Sequence, residues 1–315
     1  MTPRRSLLLA APALLMAGAA RADSLLKMGD QRGNVRAQME AAGVLKDLPY
    51  RLEWAEFPAA APLAEAMAAG AVDGGVIGDA PFTFAFAAGA EIRAVAVRRS
   101  NQEGTAIVVK GDSPAQSFAD LKGRTIGTGR GSIGHFLVLA ALEKQGWTTS
   151  DIKLVFLLPA DAKAALAAGS IDAWSTWEPY TSQMEVVDKG RRVVSGVGLT
   201  PGLGFQAATL PAIKGKREAL EDFVERMTRA RRWGTENADA YARVWAQLMN
   251  FPVEVPQNWF RRAAERVVEI DDSVYRDEQI VIDIYARNKL VRRRFEAVEA
   301  FDPSFNAAIR RGNAG

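Results

Sequence analysis

Gly29-Asp30-Gln31-Arg32-Gly33-Asn34 and Gly127-Thr128-Gly129-Arg130-Gly131-Ser132 are two copies of one pattern, offset by 98 residues: a glycine, two intervening residues, an Arg-Gly pair and a small polar residue. Each copy follows a short apolar run and precedes a stretch of helical periodicity, so each reads as a strand-to-helix turn. The glycines permit a tight turn and a close approach of backbone to a ligand. Asn34 and Ser132 are residue types that cap helix N-termini. A second pair supports the first: Ala66-Met67-Ala68-Ala69-Gly70-Ala71-Val72-Asp73 matches Ala165-Leu166-Ala167-Ala168-Gly169-Ser170-Ile171-Asp172 at an offset of 99, which sets Asp79 opposite Glu178. Two matches in the same order at nearly one offset read as a duplicated α/β unit.

Outward from these turns, apolar runs at residues 25–29, 51–57, 72–77 and 92–97 alternate with helix-period segments at 34–42, 63–69 and 82–88. The alternation restarts with strands at 106–110, 125–127, 153–157 and 171–176 and helices at 117–121, 132–145 and 160–168. This βαβα order predicts an α/β protein with mostly parallel sheets and helices on their faces. Beyond residue 216 the chain is mainly helical and rich in Arg, Glu and Ala, with breaks near Pro252 and Pro256.

The turns carry the candidate chemistry. A helix N-terminus with unpaired N–H groups attracts anions, and ligands of open α/β sheets sit at the carboxyl ends of strands, where both turns lie. Arg32 and Arg130 either pair with an anion or face solvent. His135, one turn into the second helix, either donates to a ligand or is structural. Asp79 and Glu178 either meet a ligand cation, hold cleft arginines, cap helices or form a salt bridge within their lobe. Trp174 and Trp177 are three apart across a strand end; one belongs to the core, and Trp177 is the better placed to wall an apolar part of a ligand. Neither turn has the spacing of a P-loop or of a dinucleotide fingerprint.

Composition removes other classes. Arg4-Arg5, an uncharged run over residues 6–20 and Ala20-Arg21-Ala22 have the order of a cleaved export signal over residues 1–22. Its loss would take Arg4, Arg5 and Arg21 and no acid, leaving 37 basic against 37 acidic groups in 293 residues, so no whole-chain charge favours nucleic acid. The chain has no cysteine, which excludes disulfides, a lipid-modified cysteine, a thiol nucleophile and thiolate metal sites. With one histidine a multi-histidine metal site is impossible. No cofactor is expected, and a soluble monomer is.

These residues, with Glu56-Phe57-Pro58, Gly78-Asp79-Ala80-Pro81, Ala119-Asp120-Leu121-Lys122-Gly123, Pro159-Ala160-Asp161-Ala162 and Trp177-Glu178-Pro179-Tyr180, bring out a family likeness. The chain resembles the periplasmic aliphatic-sulfonate-binding proteins of ABC importers, within the sulfonate, taurine and nitrate group. The resemblance implies a type II periplasmic-binding fold, with lobe 1 from residues 23–99 and 201–315, lobe 2 from 100–200, and a two-segment hinge near 98–101 and 197–202. It implies that a small anionic organic ligand, an aliphatic sulfonate foremost, is captured without chemistry and presented to an inner-membrane ABC permease. The family's binding loops fall on Gln31, Arg32, Gly33, Asn34, Asp79, Ala80, Arg130, Gly131, Ser132, His135, Trp177 and Glu178. Ile133 and Gly134 follow Ser132 where that family carries more hydroxyls, Arg stands for Lys before both glycines, and Glu178 stands for Asp. Taurine, nitrate or another small acid therefore remain alternatives, as does a periplasmic sensor module. Enzymes that look similar at this level imply a cysteine-dependent site, which this chain lacks.

Overall fold

The computed structural model describes residues 24–314; the expected leader, residues 1–22, lies outside the described residues. The first unit runs β1 (Leu25–Gln31), α1 (Val35–Ala41), β2 (Arg51–Phe57), α2 (Ala60–Ala68), β3 (Gly74–Gly78), α3 (Asp79–Ala87) and β4 (Ile92–Arg99). A crossing over residues 100–105 leads to β5 (Ala106–Val109), β6 (Thr125–Thr128), α4 (Ile133–Gln145), β7 (Lys153–Phe156), α5 (Pro159–Ala168), β8 (Ala173–Thr176), α6 (Tyr180–Val186) and β9 (Arg191–Ser195). A second crossing, residues 196–202, returns the chain to β10 (Leu203–Thr209) and the helical C-terminal part: α7 (Leu210–Gly215), α8 (Arg217–Glu236), α9 (Ala238–Met249), α10 (Glu254–Ala263), β11 (Arg266–Val268), α11 (Asp272–Arg287) and α12 (Asn306–Ala314).

Two sheets result, ordered β11-β4-β10-β3-β1-β2 and β7-β6-β8-β5-β9. They are mixed rather than mostly parallel, which corrects the expectation from the βαβα order. β1 pairs parallel with β2 and β3, and β6 with β7 and β8, but β10 runs antiparallel to β3 and β4, and β5 antiparallel to β8 and β9. The reason is the crossings. A strand arriving from the other sheet enters at the carboxyl ends of the parallel strands and must run against them. The crossings bond to one another, through Ser100 N–H to Gly202 O (2.9 Å), Gly196 N–H to Thr105 O (2.8 Å) and Gly198 N–H to the Gln102 side chain (2.9 Å).

Strands β9, β10 and β11 escaped the sequence reading. β10 is buried at every position, so it shows no alternation of polar and apolar residues. Elsewhere the period of two is plain. Ile77 and Phe205 pack in one core cluster of the first sheet, while Val76 and Ala208 pack in another on the opposite face. Ile107 and Ala173 lie on one face of the second sheet, and Val108 and Trp174 on the other. A fifth apolar cluster belongs to neither sheet: Ala80 of α3, Phe136, Leu139 and Ala140 of α4, and Val281, Ile284 and Tyr285 of α11. It joins the two units beside the predicted binding turns. Among the described residues no helix is long and apolar enough to cross a membrane.

Candidate ligand-binding site

The two repeated turns both sit at carboxyl ends of parallel strands, one after β1 and one after β6, but their local chemistry differs. In the second turn Gly131 has φ +68°, a left-handed conformation that a Cβ disfavours, and a Cβ there would lie 3.2 Å from the Phe84 ring on the other unit. Ser132 caps α4: its hydroxyl accepts from His135 N–H (3.2 Å) and donates to Gly129 O (2.7 Å). Among the described residues the N–H groups of Ile133 and Gly134 make no hydrogen bond. Gly134 packs so closely that a Cβ would fall 2.5 Å from Ser175 O and 2.7 Å from Thr128 Oγ1. Arg130 is exposed, has no carboxylate partner among the described residues, and lies over the Phe156 ring at 3.9 Å from its centroid. This is an α-helix start of thirteen residues with open donors and an uncompensated guanidinium beside it.

His135 is buried and its Nδ1 accepts from Gly131 N–H (3.2 Å). Burial, then the Arg130 charge, pushes the imidazole down to about 4, so it is neutral at ordinary pH and fixes the turn as an acceptor. Tyr285 of α11 reaches across and donates to Ser132 O (3.3 Å), with its ring edge-on to Phe84. Trp177 is half-buried; a Cβ on Gly129 would be 3.7 Å from its ring. Trp174 is the core member of the pair, at 1 % exposure. The structure thus brings Arg130, Gly131, Ser132, His135 and Trp177 together, with Ala80, Phe84 and Tyr285 facing them from the first unit.

The first turn is not equivalent, which corrects the expectation of two matched anion sites. Asn34 makes no capping bond; its Oδ1 accepts from Arg231 Nη2 (2.7 Å) instead. The N–H groups of Val35 and Arg36 are taken by the Asp30 carboxylate, at 3.1 and 3.2 Å. α1 opens onto its own carboxylate, and burial pushes that carboxyl up to about 7 despite those bonds and the nearby Arg231. The aligned residue of the second turn is Thr128, whose hydroxyl donates to Ser175 O (2.9 Å) and leaves α4 open. The Asp30/Thr128 difference was present in the quoted motif and was the available signal. Gly33 O accepts from Trp245 Nε1 (2.6 Å), Arg32 extends to Leu248 O (3.2 Å), and Gln31 donates to Val76 O (3.2 Å). No hydrogen bond or ring contact among the described residues joins Gln31–Asn34 to the second turn.

Asp79 is fully buried. Its Oδ1 accepts from Ala80 N–H (2.6 Å), its Oδ2 has no partner, and burial pushes the carboxyl up to about 7. Near it lies Glu278 of α11, also buried, which accepts from Thr83 and is raised well above the usual carboxylate range by burial and by Asp79. Glu178 takes Ser182 N–H and Oγ–H, each at 3.0 Å, and lies 3.7 Å from Arg262 Nε of α10. Glu178 is thus engaged by Ser182 and Arg262, whereas Asp79 is enclosed with one carboxylate oxygen unpartnered. Sequence reasoning missed Tyr285 and Phe84, which reach the second turn from the other unit, and Arg231 and Arg262, which hold Asn34 and Glu178 from far along the chain.

The comparisons match this architecture. The model of the NMT1-like family matches residues 36–250. A putative aliphatic sulfonates-binding protein of Escherichia coli (strain K12) is 29 % identical, over 86 % of this chain and 86 % of its own length. One of Bacillus subtilis (strain 168) with the same description is 25 % identical over 81 % and 77 %. The solved alkanesulfonate-binding protein of Xanthomonas axonopodis pv. citri, bound to MOPS, superimposes with a TM-score of 0.83 at 27 % identity, covering 90 % of this chain and 99 % of its own. The two mixed sheets and their crossings are those of the periplasmic binding-protein fold, and with a family match over well more than half its length this chain belongs to the NMT1-like family.

Proposed function

We propose that the protein is the exported solute-binding component of an ABC importer, that it captures a small organic anion, and that an aliphatic sulfonate is the foremost candidate. The observation that carries the reading is the start of α4. Two unpaired N–H groups, the Ser132 cap and the unpaired Arg130 converge where the second unit meets Ala80, Phe84 and Tyr285 of the first. Such a site suits a compact anionic head, with Trp177 offering an apolar wall for a short aliphatic tail. The names of the E. coli, B. subtilis and Xanthomonas relatives support a sulfonate. Residues 23–99 with 201–315, and residues 100–200, would act as two lobes closing over the ligand about the crossings, and no bond of the ligand would be made or broken. The closed, loaded form would dock on an inner-membrane permease.

A thermal-shift screen of residues 23–315 against alkanesulfonates, taurine, nitrate, sulfate and small carboxylates tests the reading. A stabilisation of several degrees by alkanesulfonates, confirmed by calorimetry, is expected. Selective stabilisation by nitrate or a carboxylate would reassign the ligand, and no response to any anion would remove the anion-site reading. Mass spectrometry of protein from its host should find Asp23 at the N-terminus.

A further inference from the structure

Apart from the apolar cluster around Tyr285, the two units also meet along a polar seam between α6 and α10. Arg262, near the end of α10, is 7 % exposed. Its Nη2 donates to Glu185 and to Ser182 Oγ (3.3 Å), and its Nε lies 3.7 Å from Glu178 Oε1. Asn258, one turn earlier, donates to the same Glu185 oxygen (3.2 Å), while Arg192 of β9 holds the other (2.8 Å). The α10 side is tied to the first crossing: Asn101 bonds Arg262 O through its side chain and Ala263 O through its N–H (3.2 Å). On the α6 side, Glu178 immediately follows Trp177. One guanidinium thus fastens the wall of the candidate site to the segment about which the units would move.

We propose that Arg262 is a positioning residue for ligand capture, setting how much of the protein is closed without touching ligand. The proposal rests on the binding reading above. The physical argument is asymmetric. With the units together, Glu178 is 5 % exposed and Glu185 23 %, and Arg262 supplies the buried countercharge for both. With the units apart, water can hydrate all three. Removing Arg262 therefore strands carboxylates only in the closed arrangement, and the apparent affinity falls in proportion to the closed fraction. Burial already pushes Glu178 up to about 7 even with Arg262 as the main opposing charge, and losing Arg262 raises it further, so the defect should shrink as pH falls through about 7 and Glu178 takes a proton.

The test uses Arg262→Met, with spin labels on Glu65→Cys and Lys144→Cys, one on each unit, in a chain that has no cysteine of its own. In ligand-free protein the interlobe distance distribution should broaden and shift relative to the otherwise wild-type labelled protein. The affinity for ethanesulfonate should fall about tenfold or more at pH 8 and less at pH 5.5. Adding Glu185→Gln should restore part of both, which a general loss of stability would not. If Arg262→Met does not fold, Asn258→Ala and Glu185→Gln singly should move the same distances in the same direction. Unchanged distance distributions in every folded seam variant would overturn the proposal. If the wild-type chain binds no sulfonate, the ligand reading fails on its own, while the distances still decide whether the seam holds the units together.

Discussion

Replacing Arg130 and Arg32 separately by alanine tests the asymmetry between the two turns. Arg130 is exposed, lies over Phe156, and has no carboxylate within the described chain. Its removal costs the fold a surface cation–π contact, about 0.5–1 kcal/mol, which amounts to a few degrees in melting temperature at most. Its effect on binding is far larger if the guanidinium meets a desolvated anionic head beside Ser132. Losing one partner of a desolvated charge-assisted contact costs about 2–5 kcal/mol, roughly thirty-fold to several thousand-fold in Kd. Arg32 shares its place in the motif, but α1 is already occupied by Asp30 and the side chain runs to Leu248 O. Arg32→Ala should bind within about threefold of wild type, since an exposed arginine contributes under ~1 kcal/mol. Calorimetry at two salt concentrations, on variants whose circular dichroism matches wild type, reads both effects. Arg130→Ala should also flatten the salt dependence. Equal losses from the two variants would refute the asymmetry, and a wild-type Arg130→Ala would refute the α4 anion site.

Other outcomes follow from the same turn. Ser132→Ala removes the hydroxyl that accepts from His135 N–H, and should cost about 1 kcal/mol of stability in denaturant titration as well as weakening ligand binding. Gly134→Ala sets a methyl against Ser175 O and Thr128 Oγ1, so α4 must shift; a loss of about 1–3 kcal/mol and of most ligand affinity is expected. His135 is held neutral, at about 4 against an ordinary 6.5. The unfolded chain therefore binds the proton more readily, and this contribution to stability is complete above about pH 6.5 and lost as pH falls towards 4. Melting temperatures of wild type and His135→Asn should accordingly converge on acidification, and parallel pH profiles would count against a neutral His135.

How much was legible in advance depended on whether a feature was local. The repeated turns, the short apolar strands and the starts of α1, α4 and α5 rest on backbone rules acting over a few residues, so they could be read from Gly131, Ser132 and the apolar run that holds Val76 and Ile77. Part of the candidate site was equally legible, because Arg130, Gly131, Ser132 and His135 lie within six consecutive residues at one helix start. The sequence alone thus determined an α/β chain with a duplicated unit, no thiol chemistry and an anion-suited helix start. Tertiary structure decided the rest. β10 is buried on both faces and leaves no periodic trace, so its antiparallel insertion between β3 and β4 appears only once the crossings are in place. Asp30 looked like a spacer between glycines, yet folding aims it at the α1 N–H groups. For Asp79 and Glu178 the sequence left ligand contact, an arginine partner and a cap all open, and packing decides their neighbours: Glu278 lies near one and Arg262 against the other, 84 residues along the chain. Charge and hydrogen-bond partners depend on distance through space, and a linear pattern carries that distance only for residues within a turn or two of one another.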